Sequence, residues 1–309
     1  MKVSIFGGSG FVGDYLINEL IDSKYNVYAL VRLGNKHKIR NCNKIKIITG
    51  EIDNPTAMEQ TMINTQAVIY NIGIIRESKS YGDTFEKLHF LCLKKCVDMA
   101  KKLNIKRFIL MSANGVKESG TGYQRTKYRA EQYLKDSGLD YTIFRPSLIF
   151  GDSSDKQEFC KQLRDDMLSL PVPGPLFFDG LNILNAGEFK MSPIHIEDVS
   201  KIFIKSLSMP ETIGQTYKLG GDDLNWKTIV KTIAVASNKE TKMFIPVPAF
   251  FIKIAANLFG NLLPISKEQI IMLMEENVCN SEEVFKLFSI EQPKTFSKEN
   301  LEYLNNEKD

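Results

Sequence analysis

Three side chains near the middle of this 309-residue chain have the types and spacing to pass a proton to or from a carbon-bound oxygen. Tyr123 and Lys127 stand four apart in Tyr123-Gln124-Arg125-Thr126-Lys127. The pattern continues through Ala130, Glu131 and Leu134, which predicts a helix with both residues on one face, a turn apart. An ammonium beside a phenol favours the phenolate and lowers the tyrosine pKa. Ser112 ends a preceding apolar run, where its hydroxyl can hold a substrate oxygen while tyrosine transfers the proton. Ser112, Tyr123 and Lys127 are therefore the expected catalytic residues.

Residues with such roles need rigid elements behind them, and the apolar pattern supplies these in alternation. Strands are expected at 2–6, 27–31, 46–50, 67–73 and 107–112, with helices at 11–23 and 85–103 and another opening at Tyr123. This alternation predicts an α/β fold, a doubly wound parallel Rossmann sheet with helices on both faces. Ligands of such sheets bind at the carboxyl ends of the strands, where Gly7, Arg32, Ile52, Gly73 and Ser112 gather.

The first strand runs into Gly7-Gly8-Ser9-Gly10-Phe11-Val12-Gly13 and then into helical spacing. Gly7 permits the tight turn, Gly10 lets backbone approach a pyrophosphate, and Gly13 lets helix and strand pack closely. Ser9, Phe11 and Val12 complete this loop, whose helix N-terminus presents free N–H groups and a positive dipole to an anion. A dinucleotide is the implied ligand. After the second strand, where an NAD-selective site carries Asp or Glu, this chain has Arg32, followed by Lys36, His37, Lys38 and Arg40. A guanidinium binds a 2′-phosphate that a carboxylate repels, so NADP is expected over NAD. Glu51 and Ile52, past the third strand, are expected beside the adenine, and Lys127 is placed to bind the nicotinamide ribose.

A net charge of +3 spread along the chain gives no case for nucleic acid. Five cysteines without repeat spacing suggest reduced thiols and a cytoplasmic protein. No segment has the uninterrupted apolar length of a membrane span, and Met1-Lys2 leads straight into the first strand, so no signal peptide is expected. His89, Cys92 and Cys96 share a helical face but lack a fourth ligand, and Phe85, Leu88 and Leu93 make that helix a core element; no metal is expected.

Taken together, Gly7 to Gly13, Ser112, Tyr123-x-x-x-Lys127 and Arg145-Pro146-Ser147-Leu148-Ile149-Phe150-Gly151 resemble an extended or atypical short-chain dehydrogenase/reductase of the NAD-dependent epimerase/dehydratase type. Gly122 to Lys127 and Phe159-Cys160-Lys161-Gln162-Leu163-Arg164 look most like bacterial relatives of the nucleotide-binding accessory subunit of respiratory complex I. The resemblance implies that Ser112, Tyr123 and Lys127 form a catalytic triad and that Pro146, Ser147, Leu148 and Ile149 lie along the nicotinamide. It also implies that Ser192 to Val199 returns the chain to the nucleotide domain. The expected organisation is a Rossmann domain at 1–150, rejoined by 187–208, and a smaller α/β substrate or partner region at 151–309. His195 in the returning segment reads as a structural hydrogen-bonding residue, and Asp198 as helix-entry chemistry.

Two functions follow from the resemblance. One is NADP-dependent reductase, dehydrogenase or epimerase chemistry on a carbonyl or alcohol. The other is a non-catalytic, NADP-bound accessory or assembly subunit of a respiratory NADH:quinone oxidoreductase, peripheral to a membrane.

In the C-terminal part, 151–187 reads as irregular, and Arg164, Asp165 and Asp166 read as a solvated face. A helix is expected at 199–208, a strand at 216–220 and a helix at 226–237 packed through Ile229, Ile233 and Val235. Pro246 and Pro248 are expected to end a strand. A helix then follows with Phe250, Phe251, Ile254, Ala255, Leu258 and Leu262 on one side, facing the core, an apolar ligand or a membrane-embedded partner. The stretch from Glu291 reads as loosely held.

Overall fold

The computed structural model describes residues 1–78, 82–240, 242–250 and 267–305, and the chain divides into two compact units. The first comprises Met1–Pro146, Ile196–Lys218 and Lys286–Ser289. The second comprises Ser147–His195, Leu219–Phe285 and Ile290–Asp309. No helix among the described residues is long and apolar enough to cross a membrane.

The first unit is built on β1 (Lys2–Phe6), α1 (Phe11–Asp22), β2 (Asn26–Val31), β3 (Lys46–Thr49), α2 (Pro55–Met62), β4 (Ala67–Tyr70), α3 (Cys92–Lys102), β5 (Arg107–Met111), α4 (Gly122–Lys135) and β6 (Asp140–Pro146). A seven-stranded sheet runs β3-β2-β1-β4-β5-β6 and ends with strand Gln215–Leu219. The pairs from β3 across to β6 are all parallel. Strands β4 and β5 are buried at every position, as a parallel sheet covered on both faces requires. The strand order reverses between β1 and β4, so the loops leaving those two strands meet at the reversal point. That is where open α/β sheets bind ligands.

Arg107 occupies a buried position in β5 because its guanidinium is satisfied there. It donates to the Asp140 and Ser206 carbonyls and to the Thr212 hydroxyl, at 2.6–2.9 Å. Burial pushes its pKa down to about 10.

The helix expected at 85–103 opens with a π-helical segment, Glu86–Leu91, before α3. The buried Tyr70 hydroxyl donates to the Leu88 carbonyl at 2.6 Å, giving that carbonyl a partner outside the helix. The later helix starts at Ile196 and runs to Lys205, so Asp198 lies in its first turn, where a carboxylate complements the dipole.

Several C-terminal expectations are corrected in the second unit. Residues 151–187 are not irregular throughout: they include a helix at Phe159–Leu163 and a strand at Gly174–Phe178. That strand pairs in parallel with Phe244–Pro248, so the expected strand does end at Pro248, with Pro246 one turn of the pleat inside it. A two-stranded sheet is all edge, where a missing N–H is tolerated. Arg164 is turned inward, its Nη1 donating at 2.7 Å to the Leu304 carbonyl, while Asp165 stays exposed. The stretch after Glu291 is not loose, since Phe296, Leu301 and Leu304 pack into a core with Trp226, Ile229 and Ile233. Val235 is only half-buried. Phe250 is exposed, and Phe251, Ile254, Ala255, Leu258 and Leu262 lie outside the described residues.

Candidate functional site

At the turn after β1, Gly7 has φ +89, and a Cβ there would sit 2.7 Å from the Asn71 carbonyl oxygen of the loop after β4. A Cβ on Gly13 would sit 2.1 Å from the Gly7 carbonyl oxygen, so helix and turn meet at a distance only glycine allows. Gly10 differs: a Cβ there would meet nothing closer than the Gly7 oxygen at 3.7 Å. Gly10 is exposed and is the N-cap of α1, and no side chain caps the helix. Phe11, Val12 and Ser9 are half-buried around it. The acid of the first turn, Asp14, is buried and takes hydrogen bonds from the backbone N and Nε of Arg40. Its charge is thereby met by a guanidinium, so the open helix end stays suited to a pyrophosphate.

α4 begins where it does because Thr121 and Gln124 form a reciprocal capping box. This puts Tyr123 in the first turn, Lys127 one turn on and Glu131 a further turn on, all at the same four-residue spacing. Lys127 is 4% exposed and Glu131 is fully buried. Lys127 Nζ donates to the Met111 carbonyl at 3.0 Å and would lie 3.4 Å from a Cβ on Gly73, so the loop after β4 and this lysine come together. Burial pushes Lys127 down to about 8, partly offset by Glu131.

Ser112 Oγ donates to Glu131 Oε1. Arg145 grips the same carboxylate with two donors, Nε at 2.9 Å and Nη2. Among the described residues no hydrogen bond links Ser112, Tyr123 and Lys127 to one another. The downward shift expected for the tyrosine is not found: burial pushes Tyr123 up to about 12. Its ring packs edge-on against Phe85 and His89, with centroids 5.7 and 5.1 Å apart. His89 Nε2 accepts from the Ile74 N–H at 3.1 Å, and Nδ1 lies 3.2 Å from the Thr126 hydroxyl. The ring is therefore neutral and donates from Nδ1. Burial, with Lys127 adding to it, takes its pKa down to about 2. This histidine is engaged in protein hydrogen bonds, and no group of three or more His, Cys, Asp or Glu among the described residues could hold a metal ion.

Arg32 lies at the end of β2, 42% exposed at its side chain, and it already has two carboxylate partners. Its Nη1 and Nη2 donate to Asp83 at 3.0 and 2.8 Å, and its Nε lies 3.1 Å from Glu51. The hydrogen bonds to Asp83 hold the guanidinium above the ordinary arginine value. Ile52, expected beside an adenine, is buried in the core cluster with Leu30 and Ala57.

Pro146 ends β6, its carbonyl accepting from the Asn114 N–H. Ser147, Leu148 and Ile149 belong to the second unit, where Ser147 Oγ donates to the Asn277 carbonyl and Ile149 pairs with Ile194. His195 is buried there, edge-on to Phe150 at 5.1 Å.

Glu131, Arg145 and Asp83 are the residues that motif reasoning passed over. The four-residue spacing from Tyr123 through Lys127 to Glu131 was the readable signal for the first. Nothing local pointed to Asp83.

Comparison with known proteins extends this geometry. The NAD(P)H-binding family matches residues 7–166. The photosystem II assembly factor Ycf39 of Trieres chinensis is 24% identical over 267 residues, covering 84% of this chain and 76% of that protein. NADH dehydrogenase [ubiquinone] 1 alpha subcomplex subunit 9, mitochondrial, of Dictyostelium discoideum is 22% identical over 260 residues, covering 82% of this chain and 68% of that protein. Among solved structures, the UDP-glucuronic acid 4-epimerase of Bacillus cereus in complex with NAD superposes with a TM-score of 0.73 at 17% identity, covering 99% of this chain and 96% of that one. The architecture is thus that of short-chain dehydrogenase/reductases of the epimerase/dehydratase type.

Proposed function

The chain belongs to the NAD(P)H-binding family, and from that premise we propose that it holds a nicotinamide dinucleotide as a fixed part of an accessory or assembly protein rather than turning it over. Support for binding comes from the uncapped end of α1 and the open space at Gly10. NADP is the form favoured here, because Arg32 stands where a 2′-phosphate needs a cation. Arg32→Ala should cost NADP roughly 1–3 kcal/mol of binding, the worth of a charged hydrogen bond, and leave NAD unaffected.

The observation carrying the non-turnover reading is the Ser112 hydroxyl. Its one proton is committed to Glu131, a carboxylate anchored by Arg145, so it has none to give a substrate carbonyl. Lys127 turned to a backbone carbonyl and a phenol near 12 point the same way. Of the two relatives described above, one is named as a photosystem II assembly factor and the other as a subunit of a mitochondrial NADH dehydrogenase [ubiquinone]. A peripheral role at a respiratory NADH:quinone oxidoreductase suits this chain. A nucleotide that binds only the native state would stabilise it there without chemistry.

The retained Tyr123–Lys127 pair, with Lys127 beside Gly73, favours a second reading. In it the chain oxidises an alcohol or reduces a carbonyl once substrate draws Ser112 off Glu131. Purification of the full chain, mass spectrometry of its bound nucleotide and co-purifying proteins, and a carbonyl and alcohol panel followed by nicotinamide absorbance separate the two. We expect bound NADP(H), subunits of a respiratory complex and no absorbance change. Steady turnover that disappears in Tyr123→Phe overturns the non-turnover reading.

A further inference from the structure

The arrangement at Arg32 leaves a 2′-phosphate no fork to dock on. A guanidinium offers two forked edges, one between its Nη atoms and one between Nε and the adjacent Nη, plus one lone N–H. Asp83 takes the first edge with both carboxylate oxygens, and Glu51 lies on the Nε of the second. The two N–H groups left over point to opposite sides, so neither pairs with the other to grip a phosphate. Two carboxylates also share that one cation, so an incoming 2′-phosphate has to displace one of them to reach it. A ribose with free hydroxyls carries no such charge and has no carboxylate to displace from Arg32.

From this geometry, and resting on the reading that Arg32 faces the 2′ position, we infer that Asp83 is the selectivity-setting residue of the nucleotide site. It competes with the 2′-phosphate for the end-on fork of Arg32 and narrows the preference for NADP over NAD. Asp83 suits the part better than Glu51. It makes two hydrogen bonds where Glu51 makes one contact, and its side chain is 18% exposed against 57%. Its backbone is pinned on both sides, the Asp83 N–H donating to the Ser78 carbonyl and the Ser78 N–H to the Asp83 carbonyl at 3.0 and 2.8 Å. The backbone pairing therefore sets the Asp83 carboxylate on Arg32 before any nucleotide arrives. Binding of a 2′-phosphate has to displace it, by side-chain rotation alone.

The test is calorimetric titration of the full chain with NADP+ and NAD+, for the parent, Asp83→Asn, Arg32→Ala and the double variant. Asp83→Asn keeps the shape and removes the charge, and the melting temperature serves as its folding control. NADP+ should bind Asp83→Asn about tenfold more tightly than the parent, with NAD+ unchanged within about twofold. The gain should vanish in the double variant, since it operates through Arg32. Glu51→Gln should show the same effect more weakly. Asp83→Asn binding NADP+ no better than the parent, while Arg32→Ala still weakens NADP+, overturns the role of Asp83 and leaves the NADP reading standing. Equal NADP+ binding by the parent and Arg32→Ala overturns both.

Discussion

Lys127→Met should stabilise the first unit at neutral pH, even though Lys127 lies in the candidate site. The lysine is 4% exposed, with its ammonium directed to one backbone carbonyl, and burial brings its pKa from 10.5 to about 8. At 1.36 kcal/mol per pH unit, that gap corresponds to about 3 kcal/mol by which the fold disfavours the charged form. At pH 7 the lysine is charged in both folded and unfolded chains, so the native state bears the whole cost. Between about 8 and 10.5 the folded chain has released the proton and the unfolded chain retains it. The unfolded state then binds more protons, and stability rises with pH until the cost has gone. Methionine removes the charge at similar length but gives up the hydrogen bond to Met111, about 1 kcal/mol. The variant should therefore exceed the parent by about 2 kcal/mol at pH 7 and fall about 1 kcal/mol below it near pH 10.5. Urea unfolding of both proteins at pH 7, 8, 9 and 10 measures the difference directly. A difference that stays constant across this range, or a variant weaker than the parent at pH 7, refutes the account of Lys127.

The glycine loop separates fold from ligand. Gly13→Ala should lose both stability and nucleotide binding, because its Cβ meets the Gly7 oxygen, whereas Gly10→Ala should keep its melting temperature and lose binding at least tenfold. Equal melting losses in the two variants would count against Gly10 as the point of pyrophosphate approach. His89 gives an acid-side signature of opposite origin. Its folded pKa, lowered to about 2, lies below the ordinary 6.5, so as pH falls below 6.5 the unfolded chain takes up a proton that the folded chain refuses. Stability should fall by about 1.4 kcal/mol per pH unit there. His89→Gln, which can still accept from Ile74 and donate to Thr126, should remove that slope in denaturation curves between pH 6.5 and 5; an unchanged slope would show that His89 protonates within the fold.

Local order settled a great deal of this protein without help from distant residues. A strand, a glycine turn and a helix follow from the alternation of apolar side chains and from backbone angles only glycine adopts freely, and Gly7 and Gly13 are placed as that reasoning requires. The same holds for the start of α4, where Thr121 and Gln124 cap each other across three residues, and for the common face of Tyr123 and Lys127. What the spacing left undetermined was the state of those groups. Ser112 gives its proton to a carboxylate nineteen residues away, held in turn by Arg145, and Arg32 is held by Asp83, fifty-one residues away. Tyr123 moved up in pKa rather than down because burial outweighs a neighbour whose ammonium points elsewhere. The loop-like look of the C-terminal stretch gave way to packing of Leu301 and Leu304 around Trp226. Periodicity and capping act over one or two turns of chain, so sequence carries them. Desolvation and charge pairing depend on which distant side chains share the same few ångströms, and only the tertiary structure decides that.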